Sequence, residues 1–252
     1  MAVLVTRPQP DNDSTAAALR ARGFDVLSAP MLRFERVMVQ DDHEFEADSF
    51  YGAVIVTSAN ALRAIDGQPM QAALLKLPLY TIGERTAEAA RAVGFTKVIS
   101  ADGDANALRD LIVERVRAKK LKKSAPLLYL AGADLARDLA GELGERGFSV
   151  VTHTTYRMVP VLHLPAEVSE GFAAGGIEAV LHYSRRSARA FFAAARVAGV
   201  EISALAVPHV CLSDAVAGIV RDAAATQVLL AATPDEIALF AALDRAIAPL
   251  SR

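Results

Sequence analysis

Short, almost wholly apolar runs alternate along this chain with longer stretches in which apolar residues recur every third or fourth position. The short runs are Val3–Val5, Phe24–Leu27, Ala53–Val56, Leu79–Ile82, Lys97–Ser100, Leu127–Leu130, Ser149–Thr152, Ala179–His182, Ala206–Leu212 and Gln227–Leu230. Runs this short that lack a polar face predict strands covered on both sides, as in parallel sheets. The longer stretches predict helices, many ended by glycine: one from Asp11 or Asp13 to Arg22 before Gly23, one from Gly83 to Val93 before Gly94, and one from Asp134 to Arg146 before Gly147. Further helices are predicted from the cap Asp104 to the basic run Arg115–Lys123, over Ser187–Ala198 and over Asp214–Ala224. Thr233-Pro234-Asp235-Glu236 opens the last helix as a capping box, and a short helical piece is predicted over Pro69–Lys76. Two stretches, Leu32–Val39 and Tyr156–Val161, read as extended, while Asp41–Asp48 reads as a loop or short helix. Strands and helices in alternation predict an α/β protein with doubly wound, flavodoxin-like parallel sheets.

The pattern occurs twice. Ala53–Ala64 (AVIVTSANALRA) aligns with Ala179–Ala190 (AVLHYSRRSARA) at an offset of 126, matching Ser58 with Ser184 and Arg63 with Arg189. Leu19–Val26 aligns with Leu143–Val150 at 124, Pro78–Ala87 with Pro208–Ala217 at 130, and Asp104–Leu108 with Asp235–Leu239 at 131. Four blocks in one order at nearly one spacing predict a duplicated unit the size of a small domain. The extended stretches fall at equivalent places in the duplication. If they run side by side as a two-stranded linker, about 33–39 and 156–161, residues 1–34 join 160–252 in one domain and 38–155 form the other. The competing layout is a simple split near residue 125.

Composition narrows the classes. The 252 residues correspond to roughly 1.7 average domains, and 53% hydrophobic residues suffice for two cores. A formal net charge of -2 gives no general pull toward nucleic acid or anionic membranes. The basic run Arg115–Lys123 sits where a helix C-terminus favours cations in any case. The single cysteine, Cys211, lies in an apolar strand and reads as core, and the five histidines show no metal-ligand spacing. Strand formation begins at Val3, and no apolar run reaches the ~18 residues of a membrane span. A soluble cytoplasmic protein is therefore expected.

The chemistry-bearing residues gather where predicted strands give way to helices, places whose free amides attract anions. They are Thr6-Arg7-Pro8, Thr57-Ser58-Ala59-Asn60-Ala61, Ile82-Gly83-Glu84-Arg85-Thr86-Ala87, Tyr129-Leu130-Ala131-Gly132 with Arg137, and Thr155-Tyr156-Arg157. In this order and spacing the set resembles the uroporphyrinogen-III synthase family over nearly the whole chain. The second half departs from it: Ser184-Arg185-Arg186 replaces a Ser-Pro-Ser type turn, and Ser213-Asp214 stands where a second Gly-x-x-Thr-Ala is expected.

The resemblance implies two α/β domains on a two-stranded linker and an enzyme without metal or organic cofactor. The implied substrate is hydroxymethylbilane, cyclised to uroporphyrinogen III in an interdomain cleft with inversion of the last ring and loss of water. It implies a monomer acting on a small molecule, with no nucleic acid or membrane partner. Tyr156, which matches the family's linker-end tyrosine, becomes the candidate acid; a packing role is its competing reading. The candidate contacts for the substrate's carboxylates are Arg7, Thr57, Ser58, Asn60, Gly83, Thr86, Gly132, Arg137, Ser184 and Ser213. The rival from another class is a two-lobed protein that binds a small polyanion without chemistry. His182 reads as a satisfied strand-end histidine, since no aspartate accompanies it and Ser184 to form a triad.

Overall fold

The computed structural model describes residues 1–37, 51–135 and 137–247; the expected loop or short helix at Asp41–Asp48 lies outside them. In chain order the elements begin β1 (Ala2–Val5), α1 (Asp11–Ala21), β2 (Asp25–Ser28), β3 (Leu32–Arg36), β4 (Ala53–Val56) and α2 (Ala59–Ile65). Next come α3 (Gln71–Leu74), β5 (Leu79–Thr81), α4 (Glu84–Val93), β6 (Val98–Ser100), α5 (Ala105–Arg117), β7 (Leu127–Gly132), α6 (Leu139–Gly144) and β8 (Val150–Pro160). The chain ends with α7 (Ala166–Ala173), β9 (Ile177–His182), α8 (Arg185–Val197), α9 (Glu201–Ala206), β10 (Pro208–Cys211), α10 (Asp214–Asp222), β11 (Gln227–Leu230) and α11 (Glu236–Ile247).

Two compact units emerge. Unit 1 comprises Met1–Arg33 and Val159–Arg252, and unit 2 comprises Phe34–Met158. Unit 1 holds a parallel sheet of order β11-β10-β9-β1-β2. Val3, Leu4 and Val5 of β1 are fully buried, as a central strand covered on both faces requires. Its two faces carry separate cores, one around Leu4, Val180, Phe191 and Cys211, the other around Val3, Leu181, Leu239 and Leu243. Unit 2 holds the sheet β3-β8-β7-β4-β5-β6. Its cores lie around Ile55, Leu108, Ile112 and Tyr129 on one face, and around Val54, Leu62, Leu79 and Leu130 on the other.

The duplication is visible in register. Val3 pairs with Ala179 across β1 and β9, and Leu127 pairs with Ala53 across β7 and β4. The two alanines are those matched by sequence, at the same step of the same strand pair. The repeated Arg-Gly-Phe is likewise one device used twice. Gly23 and Gly147 adopt φ of 90° and 79°, and the next residue, Phe24 or Phe148, bonds back to Leu19 or Leu143. Glycine accepts that left-handed turn at little steric cost, so the helix stops there.

Several local expectations need correction. Tyr156–Pro160 is extended as expected, but it continues the preceding strand without a break, as the second half of the 11-residue β8. Its partner β3 runs antiparallel, since Val37 N–H donates to Thr155 O and Val161 N–H donates to Met31 O. The helix expected from Asp134 begins only at Leu139, because Asp138 supplies the capping carboxylate, accepting from Gly141 N–H at 2.8 Å. Helix α1 starts from Pro10 without a side-chain cap, and Asp11 instead pairs with Arg7. At α11 the working cap is Asp235, which accepts from Ala238 N–H at 2.8 Å. Helices α7 and α9 were not expected; α7 forms because Val168 and Phe172 seal one face of unit 1.

Candidate functional site

Parallel strands end together, and in a doubly wound sheet a crevice opens where strand order reverses. The reversal falls between β1 and β9 in unit 1 and between β4 and β7 in unit 2. At the unit 2 reversal, β4 leads into Thr57 and Ser58. Ser58 is extended (φ -147°) and its hydroxyl accepts from Asn60 N–H at 3.2 Å, capping α2. The Thr57 hydroxyl lies 3.0 Å from the Tyr129 hydroxyl of β7. Burial pushes the Tyr129 phenol above its ordinary range, with the Thr57 hydrogen bond opposing that shift.

Tyr156, midway along β8, meets Gly132 at the end of β7, where they are register partners. The half-buried phenol rests on the glycine and stacks on Phe34 of β3, at 5.7 Å between centroids with 20° between planes. The Arg63 guanidinium sits 4.6 Å from the Phe34 ring centroid, an additional favourable contact for that ring. Two residues past Tyr156, Met158 Sδ lies 3.8 Å from the Asn60 amide nitrogen. Thr57, Ser58, Asn60, Gly132 and Tyr156 are therefore gathered where β4 and β7 end, beside the middle of β8.

The other unit 2 candidates lie apart from this group. Gly83 caps α4, beyond β5; a side chain there would meet open space, while Thr86 in the first turn is buried. Arg137 is turned to its own unit: its guanidinium pairs with Glu142, and one nitrogen donates to Asn106 at 2.7 Å. The Arg137 hydrogen bond holds the Glu142 carboxyl below its ordinary range.

At the unit 1 reversal a polar cluster sits beside the strand ends. Arg7 donates to Asp11 at 2.8 Å, Thr15 at 2.9 Å and Glu236 at 3.2 Å, and its guanidinium lies 4.4 Å from the Tyr183 ring centroid. The same Glu236 oxygen accepts from Thr15 at 2.5 Å and Tyr183 at 2.9 Å. Burial, before any other cause, raises the Tyr183 phenol well above its ordinary range. Ser184 caps α8 by accepting from Ser187 N–H at 3.1 Å, whereas Ser213 precedes α10 without a side-chain cap.

Sequence reasoning missed Tyr183, Glu236 and the Phe34–Arg63 pair as members of a site, and the contact of Tyr129 with Thr57. The one available signal was positional: Tyr183 occupies the place in the duplication that Thr57 occupies in the first copy. His182 proved to be half of a buried pair with His209, Nε2 to Nδ1 at 2.9 Å. Among the described residues no group of three or more histidine, cysteine or acidic side chains could hold a metal. Nor is any described helix long and apolar enough to cross a membrane.

Comparison with known proteins is consistent across levels. The solved uroporphyrinogen-III synthetase of Helicobacter pylori superimposes with a TM-score of 0.60 at 16% identity, covering 95% of this chain and 96% of that one. A mutant uroporphyrinogen III synthase from the extreme thermophile Thermus thermophilus gives 0.55 at 16% identity, covering 98% of each chain. At such identities these likenesses speak for the fold alone. The uroporphyrinogen-III synthase of Schizosaccharomyces pombe is 30% identical over 167 residues, which are 62% of this chain and 65% of that protein. This chain thus matches just under two thirds of that relative's length. The family model for uroporphyrinogen-III synthase HemD matches residues 13–241, from α1 into α11, and the chain belongs to the uroporphyrinogen-III synthase family.

Proposed function

We propose that this chain is a uroporphyrinogen-III synthase, a cytoplasmic monomer that cyclises linear hydroxymethylbilane with inversion of the terminal pyrrole ring and release of water. Its working domains are residues 1–34 with 160–252, and residues 38–155. Family membership over residues 13–241 carries the reading. The position of Tyr156, with its phenol over Gly132 beside the reversal of strand order, supports its place in the chemistry.

In this reading the Tyr156 hydroxyl gives its proton to the departing hydroxyl of the bilane. The carbon–oxygen bond breaks, water leaves, and the pyrrole nitrogen supplies the electrons that leave an azafulvene. The substituted carbon of the terminal ring attacks it to form a spiro intermediate. Fragmentation and reclosure invert the ring, and the proton lost on rearomatisation returns to the tyrosine oxygen. Holding the chain curled supplies the remaining advantage, as positioned reactants gain over free ones. The substrate's carboxylates are received in unit 2 by Thr57, Ser58, Asn60, Gly83, Thr86, Gly132 and Arg137, and in unit 1 by Arg7, Ser184 and Ser213. Arg7 and Arg137 exchange an internal carboxylate for one from the substrate, so their charge is already held at the site.

The test is isomer-resolved turnover of hydroxymethylbilane by purified protein, against the spontaneous type I product. Type III isomer above background is the expected result. Tyr156→Phe should slow the chemical step by ~10²–10⁴-fold, or about 3–5 kcal/mol of barrier, with little change in substrate binding. Full rate in folded Tyr156→Phe would return Tyr156 to a packing role.

A further inference from the structure

We propose that Gly132, together with a bulge at Thr155, is the positioning element that aims the Tyr156 phenol; its catalytic consequence rests on the reading of Tyr156 above. In β8, alternation alone would place Tyr156 on the wrong face of the sheet. Leu127 pairs with Val150, Tyr129 with Thr152 and Ala131 with Thr154, so the even-numbered residues of β8 follow the face of Ile55, Leu108 and Tyr129. Side chains along a strand point to opposite faces in turn, and Tyr156 would continue that series. The register shifts between Ala131 and Gly132, however: Gly132 pairs with Tyr156, and Thr155 is the extra residue. That one-residue insertion turns Tyr156 to the opposite face, where it packs with the core of Val56, Leu62 and Leu130.

The bulge is pinned from both sides. The buried Thr155 hydroxyl donates to Ala131 O at 3.1 Å, Val37 N–H donates to Thr155 O at 2.9 Å, and Ala133 N–H donates to Tyr156 O at 2.8 Å. Once turned, the ring needs room at the end of β7, and only a residue without a side chain leaves it. A Cβ at Gly132 would stand 2.7 Å from Tyr156 Cζ, 2.9 Å from its hydroxyl oxygen and 3.1 Å from Cε1. The phenol thus lies directly against backbone, with Phe34 stacked beside it. This gives Gly132 a reason to be glycine that no exposed amide would require: it sets the height and tilt of the hydroxyl.

The experiment is a double-mutant cycle between Gly132→Ala and Tyr156→Phe, paired with fluorine NMR of protein labelled with 3-fluorotyrosine. Tyr156→Phe alone judges the acid reading. Gly132→Ala should lower kcat by ~10²-fold, the scale of a misplacement of about 1 Å, with KM little changed. In the Tyr156→Phe background its effect on kcat should shrink to a few-fold at most, since no hydroxyl remains to misplace and only the substrate contact of the Gly132 backbone can still be disturbed. The NMR arm identifies the Tyr156 resonance by its loss in Tyr156→Phe, and Gly132→Ala must move it more than the signals of Tyr51, Tyr80, Tyr129 and Tyr183. An equal loss in both backgrounds, or no loss in either, would overturn the positioning role, and an unmoved Tyr156 resonance would overturn the seat whatever the activity shows. Should Gly132→Ala fail to fold, Thr155→Val, which removes the hydrogen bond to Ala131 O at nearly constant volume, takes its place in both arms with the same expected outcomes.

Discussion

Acidification should loosen unit 1 through its buried histidine pair. His182 and His209 are fully buried, stacked at 5.1 Å between ring centroids and flanked by Phe191 and Phe192. Ala204 O can only accept, so His209 Nε2, 2.9 Å away, carries a proton. His209 Nδ1 is then bare and accepts from His182 Nε2–H, which leaves His182 Nδ1 bare, buried and without a partner. Both rings are neutral in this arrangement. Burial lowers the pKa of His209 from 6.5 to about 4, and burial followed by the neighbouring His209 lowers that of His182 well below 6.5. The unfolded chain therefore takes up protons first as pH falls. Stability is complete above about pH 6.5 and is lost from there down toward pH 4, beyond which His209 contributes no further change. Between about pH 7.5 and 5 the loss is roughly 2 kcal/mol for each histidine held neutral. That window lies above the range in which most carboxylates titrate. The assay is urea unfolding across it, followed by hydrogen exchange in peptides from β9 and β10. His209→Gln offers an amide N–H to Ala204 O and an amide oxygen to His182 but cannot titrate, so it should lose about 2 kcal/mol less than the wild type. An unchanged stability over the window, or an identical slope in His209→Gln, would refute the reasoning.

Two further outcomes are expected. Arg7→Met keeps an unbranched stem but loses the guanidinium, leaving the Glu236 carboxylate with only Thr15 and Tyr183 of its three donors. Since Glu236 is partly exposed, the cost should be about 1–2 kcal/mol in thermal unfolding. Chelators should leave type III isomer formation unchanged, and a turnover abolished by EDTA and restored by a divalent metal would contradict the cofactor-free chemistry.

The α/β class was legible because its strands are covered on both faces and so appear as unbroken apolar runs, of which Ala53–Val56 is the clearest. The duplication was legible because backbone devices preserve sequence: Ser58 and Ser184 cap helices, and Gly23 and Gly147 end them. Helix α9 was hidden because Ala204 to Cys211 reads as one apolar run broken only by Pro208 and His209, with no boundary between helix and strand. Helix α7 was hidden because Ser169 and Gly171 weaken its propensity, and Val168 and Phe172 reveal their purpose only when packed. At the site, capping residues could be found from local order, but partners could not. Glu236 reaches Arg7 across 229 positions, and the seating of Tyr156 on Gly132 depends on a register slip that no periodicity announces.

The chain's route through its two units also sets a timetable for synthesis. Unit 2 is contiguous, so once Pro160 has left the ribosome every strand of its sheet has been made. Unit 1 has by then supplied only β1 and β2, and β1 is a central strand whose other neighbour, β9, begins at Ile177. Until then Val3, Leu4 and Val5 present an unpaired apolar edge while more than half of the chain is translated, the condition under which strands find wrong partners. The pairing of Val3 with Ala179 closes a very long loop, which makes it a slow contact in folding. Fragments that end before β9 should therefore be held by chaperones or aggregate through β1, even where unit 2 within them is already folded.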